Sequence, residues 1–259
     1  DYMATIASAL SEASDASKWT QQHRRALKTY HLRYFNATVG GYSPCVGDRP
    51  PLAVTSPNPR QPMSNRSCHG TSAAGSQTSN AMALALGAPP TPSIAQMVAN
   101  NLAADVRAFG NKTTAGITGL AWMLPQLEKY GHGEIALAVL EGDQYPSIGH
   151  MAAQGMTTLC ENLACTEHDP GGGSLNHIMF GGFDPFLHTA VGGLDSVVSG
   201  STGGWERIIV RVAPAAIATL GGASNQHETR FGAVSISWRY TRGLLTMDLQ
   251  VPIGSIAEV

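Results

Sequence analysis

The chain has 259 residues, of which 43% are hydrophobic and only 13% charged, about half the usual charged share of roughly 25%. That is enough apolar chain for a real core, and it excludes a disordered or collagen-like protein. The net charge is −2, and no basic cluster occurs beyond Arg24-Arg25, so neither a nucleic-acid-tracking face nor a polybasic membrane anchor is present.

No run approaches the roughly 18 apolar residues of a spanning helix. The amino terminus lacks a charged segment followed by an apolar one. The sequence opens at Asp1 without Met, directly inside a predicted helix, which suggests a mature piece or fragment of a longer protein.

In chain order, Met3, Ile6, Ala7 and Leu10 recur at helical spacing, as do Trp19, Ala26, Leu27 and Tyr30. Met82, Leu84 and Leu86 follow, stopped by Gly87 and Pro89. Thr91-Pro92 places a hydroxyl cap before a first-turn proline and launches Ile94, Met97, Val98 and Leu102. Ile117 to Tyr130 carries another apolar face, ended by Gly131, and Glu134 to Leu140 follows at once. Short links between successive helices predict stacked αα-hairpins. Further helices are expected at Ile148 to Gln154, Thr157 to Leu163 and Asn176 to Ala190, the last interrupted by Gly181-Gly182 and Pro185.

After a Gly- and Ser-rich link from Ser199 to Gly204 the period becomes two. Val234, Ile236, Trp238 and Tyr240 alternate with Ser235, Ser237 and Arg239. Thr241-Arg242-Gly243 then turns the chain into Leu245, Met247, Leu249 and Val251, a β-hairpin with one buried face. Ile208 to Val212 supplies another strand. The expected organisation is a helical domain over 1–203 and a small antiparallel β domain over 204–259.

Three Asn-X-Ser/Thr acceptors occur, at Asn36, Asn65 and Asn111. Together with four cysteines they point to an oxidising, secreted setting. Cys45 and Cys68 bracket a Pro-rich stretch without periodicity, and a bridge there would contribute about 3 kcal/mol in the chain-entropy model. Cys160 and Cys165 are candidates for a second, tighter bridge. The alternative of four free buried thiols stays open. No C-x-x-C pair and no zinc spacing of His is present, so no metal or cofactor is expected.

Glu161, placed on the predicted 157–163 helix among apolar neighbours, is a candidate general acid or base. A solvent-facing helix acid is the alternative. His177 lies in Ser174-Leu175-Asn176-His177 after the Gly171-Gly172-Gly173 run, where an imidazole can contact a substrate or simply cap a helix. Asp105, Arg107, Gly110 and Asn111 read as a helix C-cap, and Tyr145-Pro146-Ser147 as a turn opening a helix. No G-x-S-x-G elbow, P-loop or dinucleotide fingerprint is present.

The order of these segments carries more than any one of them. Gln77-Thr78-Ser79-Asn80-Ala81-Met82, Tyr130-Gly131-His132, Tyr145-Pro146-Ser147, Thr157-Thr158-Leu159-Cys160-Glu161 and Ser174-Leu175-Asn176-His177 with Met179-Phe180-Gly181 follow one another. Trp205-Glu206-Arg207-Ile208 and the Gly232-to-Val251 hairpin come after them. From about Tyr2 to its end the chain resembles the carboxy-terminal half of bacterial-type α-L-rhamnosidases of glycoside hydrolase family 78.

That resemblance implies a mainly α fold, the later half of an (α/α)6 barrel followed by a small antiparallel β-sandwich. It implies hydrolysis of terminal α-L-rhamnosyl residues of a glycan or glycoside with inversion. Two carboxyl groups about 6.5–9.5 Å apart then serve as acid and base. The family's base falls on Glu161, its sugar-contacting His on His177, and Asn176 belongs to the same motif. Where the family usually has Trp, this sequence has Cys160 and Ile148, which implies a thinner aromatic wall. The family's general acid sits in the first half of the barrel, so the resemblance implies an upstream half as partner, on the same polypeptide or a cleaved chain. The stretch holding Asn111 resembles one packed between barrel helices, so glycosylation is expected at Asn36 and Asn65 rather than there. The alternative function is a glycan-binding or structural extracellular protein on a degenerate glycosidase barrel.

Overall fold

The computed structural model describes residues 2–43, 75–163, 165–166, 173–197 and 204–259. Cys45, Asn65 and Cys68 lie outside the described residues. Contacts divide the chain into two compact units, Ala26–Gly182 and Asp1–Arg25 with Phe183–Val259.

The first unit is helical. Its core elements are α3 (Gln77–Ala85), α4 (Pro92–Ala108), α5 (Gly116–Lys129) and α6 (Gly133–Glu141), followed by the short α7 (Ile148–Ala153). α3, α4 and α7 begin at side-chain caps that the sequence supplies. Ser76 and Ser79 form a reciprocal capping box on α3, and the Thr91 hydroxyl accepts the Ile94 amide ahead of Pro92 on α4, which satisfies amides that a helix end leaves orphaned. α4 ends as expected, with Gly110 and Asn111 at positive φ and the Asn111 amide donating to the Val106 carbonyl at 2.9 Å. Asn111 is exposed there.

α5 packs against α3 and α6, and α3 against α4. Leu102, Leu120, Met123, Leu124 and Leu127 are fully buried among them. At one end, the antiparallel pair β1 (Phe35–Asn36) and β2 (Gly41–Tyr42) brings Tyr42 into the core. Its amide donates to Asn80 Oδ1 at 2.7 Å, and His31 Nδ1 lies 2.7 Å from its hydroxyl. Tyr30, Tyr34 and Phe35 complete this aromatic group. Burial pushes the Tyr42 and Tyr30 hydroxyls up and the His31 imidazole down from their ordinary pKa values.

Two helices precede these elements: α1 (Tyr2–Ala9) and α2 (Ala13–Tyr34). α2 presents a stripe of Trp19, His23, Leu27, Tyr30 and Tyr34, none of it fully buried.

Two predicted helices are corrected. Residues 157–163 are bends and turns rather than helix, because a bridge from Cys160 to Cys165 and pairing with 174–177 win over local propensity. Residues 176–190 are a 3₁₀ turn (Ile178–Phe183), a single α turn α8 (Asp184–Phe186) and a π turn (Leu187–Val191). Gly181-Gly182 and Pro185 break the ladder that one continuous helix needs.

The second unit carries two three-stranded sheets, with α9 (Pro214–Leu220) between its strands in sequence. One sheet joins β5 (Gly222–Thr229), β6 (Gly232–Thr241) and β7 (Leu244–Gln250) in antiparallel register. The β6–β7 turn uses Arg242 and Gly243, both at positive φ, the conformation a two-residue hairpin loop favours. Val234, Ile236 and Trp238 fill its buried face, and the Trp238 indole donates to the Val191 carbonyl at 2.9 Å. The other sheet places β4 (Arg207–Val210) between β3 (Leu194–Ser196) and β8 (Ile256–Glu258). The β4–β8 pair is parallel, so the β part is not uniformly antiparallel. Arg207 pairs with Glu258 across it.

Among the described residues no helix is long and apolar enough to cross a membrane.

Candidate functional site

The site grows from the end of α7. Ser147 caps that helix by accepting the His150 amide at 2.9 Å, and Met151 anchors it in the core. Beyond it, residues 158–161 run antiparallel to 174–177. The His177 amide donates to the Leu159 carbonyl at 2.6 Å, and the Glu161 amide donates to the Ser174 carbonyl at 2.8 Å. The Thr158 hydroxyl donates to the Leu175 carbonyl at 2.6 Å. This pairing carries Glu161 and His177, sixteen positions apart in sequence (177 − 161), onto one surface.

Glu161 Oε2 accepts the Ser174 amide at 3.0 Å and lies 3.7 Å from His177 Nδ1. The carboxylate side chain is 44% exposed and the imidazole 25%, so the pair opens to solvent on a fixed backbone. The Asn176 amide donates to the Ser174 hydroxyl at 3.2 Å, and Asn176 is exposed.

Behind this surface, Cys160 is bonded to Cys165, and both are fully buried. The position that the family usually gives to Trp is therefore a structural staple, with no side chain left to face a ligand. On the other flank, the 3₁₀ turn after His177 sits close to α5. A Cβ on Gly182 would lie 2.6 Å from the Ala121 Cβ, an approach that only glycine permits.

The structure thus brings Glu161 and His177 together, with Asn176 beside them in the chain. The bridge between Cys160 and Cys165 is formed. Asn36 is exposed on β1, its Oδ1 accepting the Thr38 amide at 3.0 Å. Sequence reasoning missed the Ser174 amide, because a backbone donor has no side-chain signature, and the preceding glycine run was its only trace. Among the described residues no group of three His, Cys, Asp or Glu side chains stands together to hold a metal.

Arranged this way, a carboxylate with one oxygen tethered and a neighbouring imidazole can accept a proton from a water and hydrogen-bond a polyhydroxylated ligand.

Comparison with known proteins agrees with the architecture. The chain is 30% identical over 186 residues to an α-L-rhamnosidase of Formosa agariphila, covering 71% of this chain and 19% of that protein. It is 25% identical over 166 residues to an α-L-rhamnosidase of Streptomyces avermitilis, covering 62% of this chain and 16% of that one. The chain therefore spans less than a fifth of the length of these relatives.

Among solved structures, the native α-L-rhamnosidase of Aspergillus terreus superposes with a TM-score of 0.77 at 22% identity, over 98% of this chain and 26% of that one. The Streptomyces avermitilis enzyme complexed with L-rhamnose gives 0.76 at 20% identity, over 98% and 21%. At such identity the superposition speaks for the fold alone.

The bacterial α-L-rhamnosidase six-hairpin glycosidase domain matches residues 1–191 and the bacterial α-L-rhamnosidase C-terminal domain residues 196–259, and the chain belongs to this family.

Proposed function

We propose that this chain is the carboxy-terminal part of a secreted, inverting α-L-rhamnosidase in which Glu161 is the general base. His177 and Asn176 hold the terminal rhamnosyl residue of a glycan or glycoside. Residues 1–203 then contribute to the barrel and 204–259 form the domain that follows it. The observation that carries the reading is the Glu161 carboxylate, tied by the Ser174 amide at 3.0 Å, beside His177 at 3.7 Å, yet open to solvent.

In this reaction a water loses its proton to Glu161 as its oxygen bonds the anomeric carbon. The glycosidic C–O bond breaks, and the leaving oxygen takes a proton from the general acid on the opposite face of the sugar. That acid belongs to a further segment of the barrel, the upstream half. The exposure of Leu175, Ile178 and Met179 around His177 supports this, since apolar side chains at a site edge suit contact with more protein or with the sugar's C–H face.

The Cys160–Cys165 bridge and the exposed Asn36 support secretion and glycosylation at Asn36; Asn65 and a Cys45–Cys68 bridge belong to the same reading.

In the intact protein, Glu161→Gln should lower kcat on an aryl α-L-rhamnoside by on the order of 10²–10⁴-fold. Unchanged kcat would remove Glu161 from the mechanism. Hydrolysis by this chain alone would remove the need for an acid from elsewhere.

A second reading is favoured by one observation: a buried disulfide stands where the family usually has a Trp. On that reading the barrel binds glycans without cleaving them, and rhamnose binding without turnover would select it.

A further inference from the structure

The Glu161 carboxylate is held unevenly. Among the described residues both of its partners, the Ser174 amide and the His177 ring, meet Oε2. Oε1 is the oxygen left to take a proton.

Residue 174 holds residue 161 twice over. Its carbonyl accepts the Glu161 amide at 2.8 Å, and its own amide donates to the Glu161 side chain at 3.0 Å. This double contact requires the preceding residue to pass very close. A Cβ on Gly173 would lie 3.0 Å from the Glu161 Cβ, 3.1 Å from Oε2 and 3.3 Å from Cδ, tighter than ordinary van der Waals contact. Gly173 has no positive φ to explain it; the space beside the carboxylate explains it.

The chain carrying Glu161 is also constrained covalently. Cys160, directly before it, is bonded to Cys165, and the turn between them is also closed by the Cys165 amide on the Asn162 carbonyl at 3.1 Å. Both cysteines are fully buried, so residue 160 is fixed while residue 161 stays open.

We propose that Gly173, the Ser174 amide and the Cys160–Cys165 bridge form a positioning device that tethers Glu161 Oε2 and thereby selects Oε1 as the proton acceptor. This rests on Glu161 being the general base. A hydrogen bond to Oε2 fixes the plane of the carboxylate, and the staple fixes the backbone that carries it. A displacement of about 1 Å from the reacting water costs on the order of 10²-fold in rate. Gly173 and the two cysteines are positioning residues; none of them touches the sugar in this scheme.

The test is a double-mutant cycle in the intact protein, with kcat and KM measured on an aryl α-L-rhamnoside. Gly173→Ala should lower kcat by about 10- to 100-fold with KM changed less than about threefold. In the Glu161→Gln background the same substitution should lower the residual kcat by less than about threefold, because the group it misplaces is already disabled. The paired substitution Cys160→Ser with Cys165→Ser should show the same non-additivity.

A full fall in both backgrounds would mean that Gly173 serves the fold alone, and would overturn the proposal. So would an unchanged kcat in Gly173→Ala. If Glu161→Gln itself leaves kcat intact, it is the base assignment that fails, a result distinct from either. Should the cysteine pair fail to fold, the Gly173 cycle decides the matter without it.

Discussion

The α3–α6 hairpins and the residues around Glu161, 157–163 and 173–182, belong to the same compact unit but are ordered by different physics. In the hairpins, Leu102, Leu120, Met123, Leu124 and Leu127 are fully buried and order comes from packed apolar surface. In the second region, Leu175, Ile178 and Met179 are exposed. Phe180 and the bridged Cys160 and Cys165 are buried, but around Glu161 order comes from backbone hydrogen bonds between 159–161 and 174–177, the disulfide and an amide on a carboxylate. Burial is non-directional and leaves no surface to spare, whereas directional contacts can fix a side chain that still faces water. A site that must admit a ligand is better held in the second way.

The largest effect that separates the two regions is on stability. Leu124→Ala removes a fully buried side chain from α5 and should lower the unfolding free energy by about 2–5 kcal/mol, read from the urea midpoint at constant slope. Glu161→Gln should leave that midpoint within about 0.5 kcal/mol while abolishing most turnover. If Leu124→Ala proved as mild as Glu161→Gln, burial would not be what orders the hairpins.

The same contrast decides what the sequence could reveal. The helices were legible because apolar spacing and caps are local signals: Thr91-Pro92 opens α4, and Gly110-Asn111 closes it. The hairpin of β6 and β7 was legible for the same reason, its period of two being written in Val234, Ile236 and Trp238. β5 was missed because Ser224, Asn225, Gln226, His227 and Glu228 show no apolar alternation, and only its pairing with β6 makes it a strand. α9 was missed although Pro214 and Gly221 mark its ends.

At the site, Glu161 and His177 were nameable from motif order, but the Ser174 amide and the geometry that joins them were not. A helix was expected over Thr157 to Leu163. The cysteine bridge and the pairing with 174–177, both non-local, replaced it with a bend.

Acid sharpens the comparison from the buried side. His31 sits among Tyr30, Tyr34, Phe35 and Tyr42, its Nδ1 2.7 Å from the Tyr42 hydroxyl, and burial holds its pKa below 6.5. The unfolded chain therefore takes up this proton near pH 6.5, while the folded chain resists until lower pH. Below that point the unfolded state binds more protons, so stability falls as pH drops toward the folded value. Above it this contribution is constant. Urea midpoints between about pH 7.5 and pH 5 should show the decline, and His31→Gln should flatten it. An identical slope in His31→Gln would assign the decline to other groups.

The smallest effect is expected where the chain is most open. Ile178 follows His177 directly and is 86% exposed, so Ile178→Ser in this chain should shift the urea midpoint by no more than about 0.5 kcal/mol. In the intact protein the expectation changes. If further barrel helices or a bound sugar cover this edge, the isoleucine is buried there, and the same substitution removes apolar area worth about 25 cal/mol per Å². It should then cost stability or raise KM in the intact protein while leaving this chain unmoved. Equal, negligible effects in both would mean that the surface beside His177 stays open in the intact protein, and would count against an apolar wall for the proposed sugar at this position.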